Sequence, residues 1–151
     1  MRQARLLQAD IALRAKNFAK VKSLLTAHVP AGAEGRPEQF FLAQAETASG
    51  QAKQTTARLQ RWVSEHPDDG TAWQLLAAAW RARGQPLRAL RAEGQAHMAW
   101  LDWTGAVERL RAAQDWVRQH PQADHIEAAI VDTRLREARQ ALAAWQSEEQ
   151  D

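Results

Sequence analysis

Residues of matching size return every 34 positions along this chain: Leu42, Leu76 and Leu110; Ala9, Ala43 and Ala77; Gly50 and Gly84. A period of that length means stacked helix-turn-helix units, because one hairpin cannot bury its apolar face alone and its neighbours complete the core. The small residue lets paired helices approach closely, and the glycine accepts the backbone geometry that ends a first helix. Composition agrees. Alanine, leucine, glutamine and arginine make up more than half of the 151 residues, valine and isoleucine together give nine, and tyrosine is absent. That balance favours helix over sheet.

The expected fold is therefore all-α, a right-handed solenoid of about eight antiparallel helices in four hairpins. Periodicity and punctuation place helices near 3–15, 17–29, 37–49, 52–66, 71–83, 86–100, 104–119 and 124–146. Pro37 and Pro86 suit first-turn positions, where the N–H they lack would be unpaired anyway. Asp69 or Thr71 is expected to cap the fifth helix, and Asp124 with Glu127 has the spacing of a capping box. The turns at His66-Pro67 and His120-Pro121 mark joints, and 29–35 reads as the loosest loop. One domain over 1–146 is expected, with copies near 2–35, 36–69, 70–103 and 104–137. An extended helix then caps the stack through Ile126, Ile130, Leu135, Ala138, Leu142 and Trp145, and a polar tail over 147–151 frays.

The third copy carries Trp73, Leu76, Ala77, Trp80, Gly84, Ala89 and Ala96, and in this it resembles the tetratricopeptide repeat. The second keeps Leu42, Ala43, Gly50, Leu59 and Pro67 but has Gln39 and Thr55 where an aromatic and an alanine are usual. The first keeps Ala9 and Asn17-Phe18. The fourth keeps Leu110 and Ala123 but has Arg111 at the small-residue position. The resemblance implies that Trp62, Trp73 and Trp80 pack in the core, with Trp100, Trp103 and Trp116 less determined.

Few residues suggest chemistry. Cysteine is absent, which excludes disulfides and thiol catalysis, and the net charge is only +2, so no nucleic-acid partner is expected. Apolar runs are far too short to span a bilayer, and the amphipathic start lacks a secretory signal core. The five histidines show no H-E-x-x-H spacing, and His120, Asp124 and His125 read as turn polarity rather than a metal cluster. No metal site, catalytic group or cofactor is expected in the chain. Arg81, Arg83, Arg88 and Arg91 crowd one hairpin, where nearby Glu93 and Asp102 favour an ordinary solvated face.

Stacked hairpins present their first helices on a concave face, the usual binding surface of such solenoids. The register points Leu6, Asp10 and Leu13 towards it, followed by a partner-binding groove of Phe40, Gln44, Thr47, Gln74, Ala78, Arg81, Glu108, Ala112 and Asp115. A protein or peptide segment is the expected partner. The lysine-asparagine clamp that resemblance to chaperone-tail adaptors would require is missing. Phe40→Ala and Arg81→Glu are expected to weaken partner binding with helicity unchanged.

From Gln85 onward, the runs Gln85 to Glu93, Gly105 to Arg111, Asp124 to Ala128 and Ile130 to Glu137 resemble the C-terminal region of BepA-like bacterial zinc metallopeptidases. That resemblance implies a non-catalytic repeat module packed on a protease domain of the same polypeptide. Zinc would sit in that domain, and outer-membrane protein substrates or assembly machinery would be partners in the periplasm. The alternative is a free-standing cytoplasmic scaffold that binds a short peptide.

Overall fold

The computed structural model describes residues 1–151. Eight α-helices follow one another with no strand: α1 (Arg2–Arg14), α2 (Phe18–Leu25), α3 (Arg36–Ala48), α4 (Ala52–Glu65), α5 (Gly70–Ala82), α6 (Pro86–Ala99), α7 (Trp103–Gln119) and α8 (His125–Glu149). They form the all-α stack of hairpins that the period requires. No helix is long and apolar enough to cross a membrane. Three boundaries differ from expectation. α2 ends at Leu25, four residues early, where the amide and the hydroxyl of Thr26 both donate to the Lys22 carbonyl, at 3.0 and 2.7 Å. The segment expected to be loosest holds a 3-10 turn, Gly32–Gly35. There Gly35 is pressed against the Pro30 carbonyl, which a Cβ would meet at 2.1 Å. α8 continues to Glu149, so most of the tail expected to fray is exposed helix.

Lys16, Gly50 and Gly84, 34 apart, have φ of 58, 80 and 69°. They occupy the same left-handed position at the end of the first helix in each of three hairpins, which costs glycine little and lysine more. Between α6 and α7 the same role falls to Leu101, with φ of 60°, so the unusual Leu101-Asp102 joint keeps turn geometry without the glycine. Asp69, Asp102 and Asp124 each cap the helix that follows, accepting from the amides of Ala72, Gly105, and Ile126 with Glu127 respectively. Only half of the expected capping box forms. The Glu127 carboxylate turns away from Asp124 to Arg91 and Arg88.

The core is divided along the stack. Ala9, Ala12, Val21, Leu25, Leu42 and Ala45 fill the space between α1, α2 and α3. A larger cluster over α3 to α6 contains Phe40, Leu59, Trp62, Trp73 and Leu76. Ala106, Leu110, Leu135 and Ala138 join α7 to α8. Trp62 and Trp73 are buried as expected, whereas Trp80 is half-buried, with the guanidinium groups of Arg83 and Arg88 beside its ring. Thr55, the departure from the usual alanine, is explained by a buried bond to Glu46 at 2.9 Å, which Arg58 also grips with two bonds.

Arginine-to-acid links tie successive layers. Arg2 at the start of α1 reaches Glu38 in the first turn of α3 at 2.7 Å. Arg36 at the start of α3 holds Asp69, the cap of α5, through two bonds of 2.8 and 2.9 Å. The next such link skips to α6, where Arg88 and Arg91 hold Asp124 and Glu127 of α8. Packing follows the links: α1 meets α3, α3 meets α5 and α6 meets α8, while no Cα of α7 comes within 8 Å of one in α5. The stacking register thus changes at α6. At the 34-residue step from Ala43 and Ala77, the small residues of the preceding first helices, stands the long and exposed Arg111. Arg88 and Arg91, expected on a solvated face, are therefore partly structural.

Candidate functional site

The register change divides the expected groove. Gln74, Ala78 and Arg81 on α5 do come together, lining a cleft of about 290 Å³ with Glu93, Ala96 and His97 of α6, Trp100 just past its end and Arg109 of α7. Gln44 and Thr47 lie one layer away on α3, Gln44 exposed with its amide donating to the Phe40 carbonyl at 3.3 Å. Glu108, Ala112 and Asp115 are on α7 outside the cleft, and Asp115 pairs with Arg118 on its own helix. Leu6 and Leu13 pack on the first core, and Asp10 pairs with Arg14.

Phe40 is not a groove residue. Its ring is 8% exposed, meets Trp62 edge-on at 6.0 Å between centroids and is covered by the Arg36 guanidinium at 4.3 Å. The period puts Phe40 in the groove, but its side chain is buried in the core. Trp62 of the paired helix and Arg36, one turn back on α3 and held by Asp69, close over the side chain, which the 34-residue register does not encode.

The residues that sequence reasoning missed come mostly from α6. Glu93 accepts from Arg81, and its second oxygen lies 3.7 Å from Arg109, so one carboxylate is held between two guanidinium groups. His97 Nδ1 lies 2.8 Å from Asp102 Oδ2. The Gly105 amide, and after it His97, hold the Asp102 carboxyl below the usual aspartate range. Trp100 presents a half-exposed indole at the rim, and its ring lies where a Cβ on Gly70 would fall, 2.3 Å away. The available signal was the hairpin itself, which sets α6 beside α5 and Glu93 opposite Arg81. The cleft offers paired charges, an amide and an aromatic edge. These suit recognition of a polypeptide by hydrogen bonds and side-chain packing.

No three His, Cys, Asp or Glu side chains converge as metal ligands. His120, Asp124 and His125 are separated in role. His120 stacks on Trp116 with centroids 3.9 Å apart, and Asp124 caps α8. His66 stacks on Trp62 in the same manner at 4.2 Å. Both pairs belong to a Trp-Val-x-x-His-Pro sequence, 62–67 and 116–121, in which the ring nitrogen meets the tryptophan carbonyl one turn back and the proline stops the helix. This recurrence gives α7 the helix end of α4, a second helix, and agrees with the changed register.

Residues 38–97 match the family model of the bacterial transcriptional activator domain. The matched stretch runs from the first turn of α3 almost to the end of α6 and covers about two fifths of the chain. A comparison with curated proteins finds no match. The match overturns the likeness to BepA-like zinc metallopeptidases, because the stretch holding the clearest repeats of the chain is similar to the transcriptional-activator domain model and not to a peptidase. The residues that carried the earlier likeness have a structural explanation. Arg88, Arg91, Asp124 and Glu127 bind α6 to α8, a task any such stack sets. The protease domain, zinc, outer-membrane partners and periplasmic location rested on that likeness and lose their basis with it.

Proposed function

We propose that this chain is a non-catalytic protein-binding module that works in bacterial transcriptional activation, as a scaffold for a protein or peptide segment. The observation that carries this reading is that the matched stretch, 38–97, supplies six of the eight residues lining the Gln74–Arg81 cleft, all from α5 and α6, with Trp100 and Arg109 lying beyond it. Three further features support it. The small net charge gives no electrostatic footprint for duplex DNA, which needs many cations strung along its phosphates. The cleft holds no nucleophile beside its His97–Asp102 pair, so acyl transfer has no attacking group there. Its charges are arranged as Arg81–Glu93–Arg109, which can exchange partners with a bound segment. The module needs no cofactor in this reading and acts in the cytoplasm, where transcription takes place.

A photo-crosslinking residue at Gln74, with a control at exposed Gln8 on α1, tests the proposal in cells. The expected product is a covalent adduct to a protein from position 74 only, lost with Arg81→Glu while circular dichroism stays unchanged. Arg81→Glu should also alter the transcripts that depend on the protein. Adducts to nucleic acid, or equal adducts from both positions, would reject the cleft.

A further inference from the structure

A second cleft, on the opposite side of the α5–α6 hairpin, is lined by Lys53, Thr56, Ala57 and Gln60 of α4 together with Trp80, Arg83, Arg88 and Arg91. Its volume is about 340 Å³, it lies within the matched stretch, and no acidic residue lines it. Arg88 and Arg91 lean on Asp124 and Glu127, which leaves the charges of Lys53 and Arg83 uncompensated by any carboxylate in the lining. Arg83 is held in place. Its Nη1 donates to the buried Thr56 hydroxyl at 2.8 Å, and its guanidinium carbon lies 4.9 Å from the Trp80 ring centroid, with that of Arg88 at 5.0 Å. Two guanidinium groups therefore sit within about 10 Å of each other on one aromatic platform, already ordered before anything binds, which lowers the entropic cost of association.

The geometry points to this cleft as a docking site for an acidic segment of a partner protein, with carboxylates taken by Lys53, Arg83 and the outer edge of Arg88. Same-face side chains of an extended peptide recur at about 7 Å, a spacing the two guanidinium groups can span. The Trp80 ring already carries two arginines, so a nucleobase or other flat ligand finds no clear stacking surface. The patch is also too local for duplex DNA, whose binding depends on contacts to many phosphates. This site goes beyond the proposed function, since it is separate from the Gln74–Arg81 cleft and would stand if that cleft bound nothing.

The test is fluorescence anisotropy of a labelled synthetic peptide of alternating glutamate and alanine, titrated with the full chain. Binding is expected, and Lys53→Glu with Arg83→Glu should weaken it at least about tenfold, the effect of reversing rather than deleting charge at close range. Raising salt should weaken it as well. Arg81→Glu should leave it unchanged, which separates this site from the other cleft, and circular dichroism reports whether each variant is folded. Lys53→Gln, a milder change, should weaken binding without risk to the fold. Equal binding of an alternating serine-alanine peptide, no effect of the Lys53 and Arg83 variants, or stronger competition by duplex DNA or inorganic phosphate than by unlabelled peptide would each overturn the proposal.

Discussion

Phe40 shows how a residue at a binding register becomes part of the core. Its ring closes the edge of Trp62 and lies beneath Arg36, so its removal opens a cavity in the largest core cluster. Phe40→Ala is expected to cost about 3–5 kcal/mol, seen as a lower denaturation midpoint; a loss below about 0.5 kcal/mol, the surface norm, would put the ring back in solvent. Leu101 is the opposite case, a 70% exposed side chain that contributes little packing and holds a left-handed backbone. Leu101→Gly should stabilise the protein by up to about 1 kcal/mol, measured the same way, and destabilisation would show that the leucine packs. Burial of Trp62, Trp73 and Leu76 was legible because each falls on the 34-residue period and on an apolar face. The fate of Phe40 was not, because it depends on Trp62 of α4 and on Arg36, one turn back on α3, being held over the ring by Asp69 thirty-three positions away.

At the scale of the helix, three aspartates both start an element and anchor it to a neighbour. Burial alone would raise the Asp69 carboxyl, but bonds from Arg36, the Trp62 indole and the Ala72 amide outweigh it and hold the group below the ordinary aspartate range. The Gly105 amide, then His97, lowers Asp102, and the amides of Glu127 and Ile126 lower Asp124. A carboxyl with a depressed folded pKa contributes stability that is fully present above its unfolded value, about 3.9 for aspartate. That stability drains away as pH falls through the lower folded value. The starts of α5, α7 and α8 should therefore loosen together in acid, with thermal midpoint and the amide shifts of Ala72, Gly105 and Glu127 following one another below about pH 4. Midpoints unchanged down to pH 2 would mean the caps carry no stability. Caps at 69 and 124 were legible from residue type and spacing. The diversion of Glu127 from its capping box was not, since Arg91 lies 36 positions away.

Across the whole molecule, stability in a stack is close to a sum of layers and the interfaces between them, so the point where the register changes is also where the stack can open. α8 is held to α6 by the Glu127 carboxylate, 4% exposed between Arg91 and Arg88. A close approach reinforces the joint below it, with Leu110 of α7 seated where a Cβ on Gly94 of α6 would fall, 2.6 Å away. The overall architecture was legible because the period sets how many layers form and how long each is. The change at α6 was not inferred, although Arg111 and the second Trp-Val-x-x-His-Pro both signalled it, because a repeat read by its best-matching positions carries Leu110 into line with Leu76 and hides the mismatch beside it. Glu127→Ala tests the consequence. Removing one partner of a buried pair leaves Arg91 uncompensated, while Arg88 keeps Asp124, and costs about 3–5 kcal/mol, a loss that falls on one interface. Hydrogen exchange should accelerate across α8 and the facing side of α7 while α1 to α5 keep their protection, since those layers retain the Arg2–Glu38 and Arg36–Asp69 links. Equal acceleration in every helix would instead mean that the eight helices unfold as one cooperative unit and that the seam at α6 has no energetic meaning.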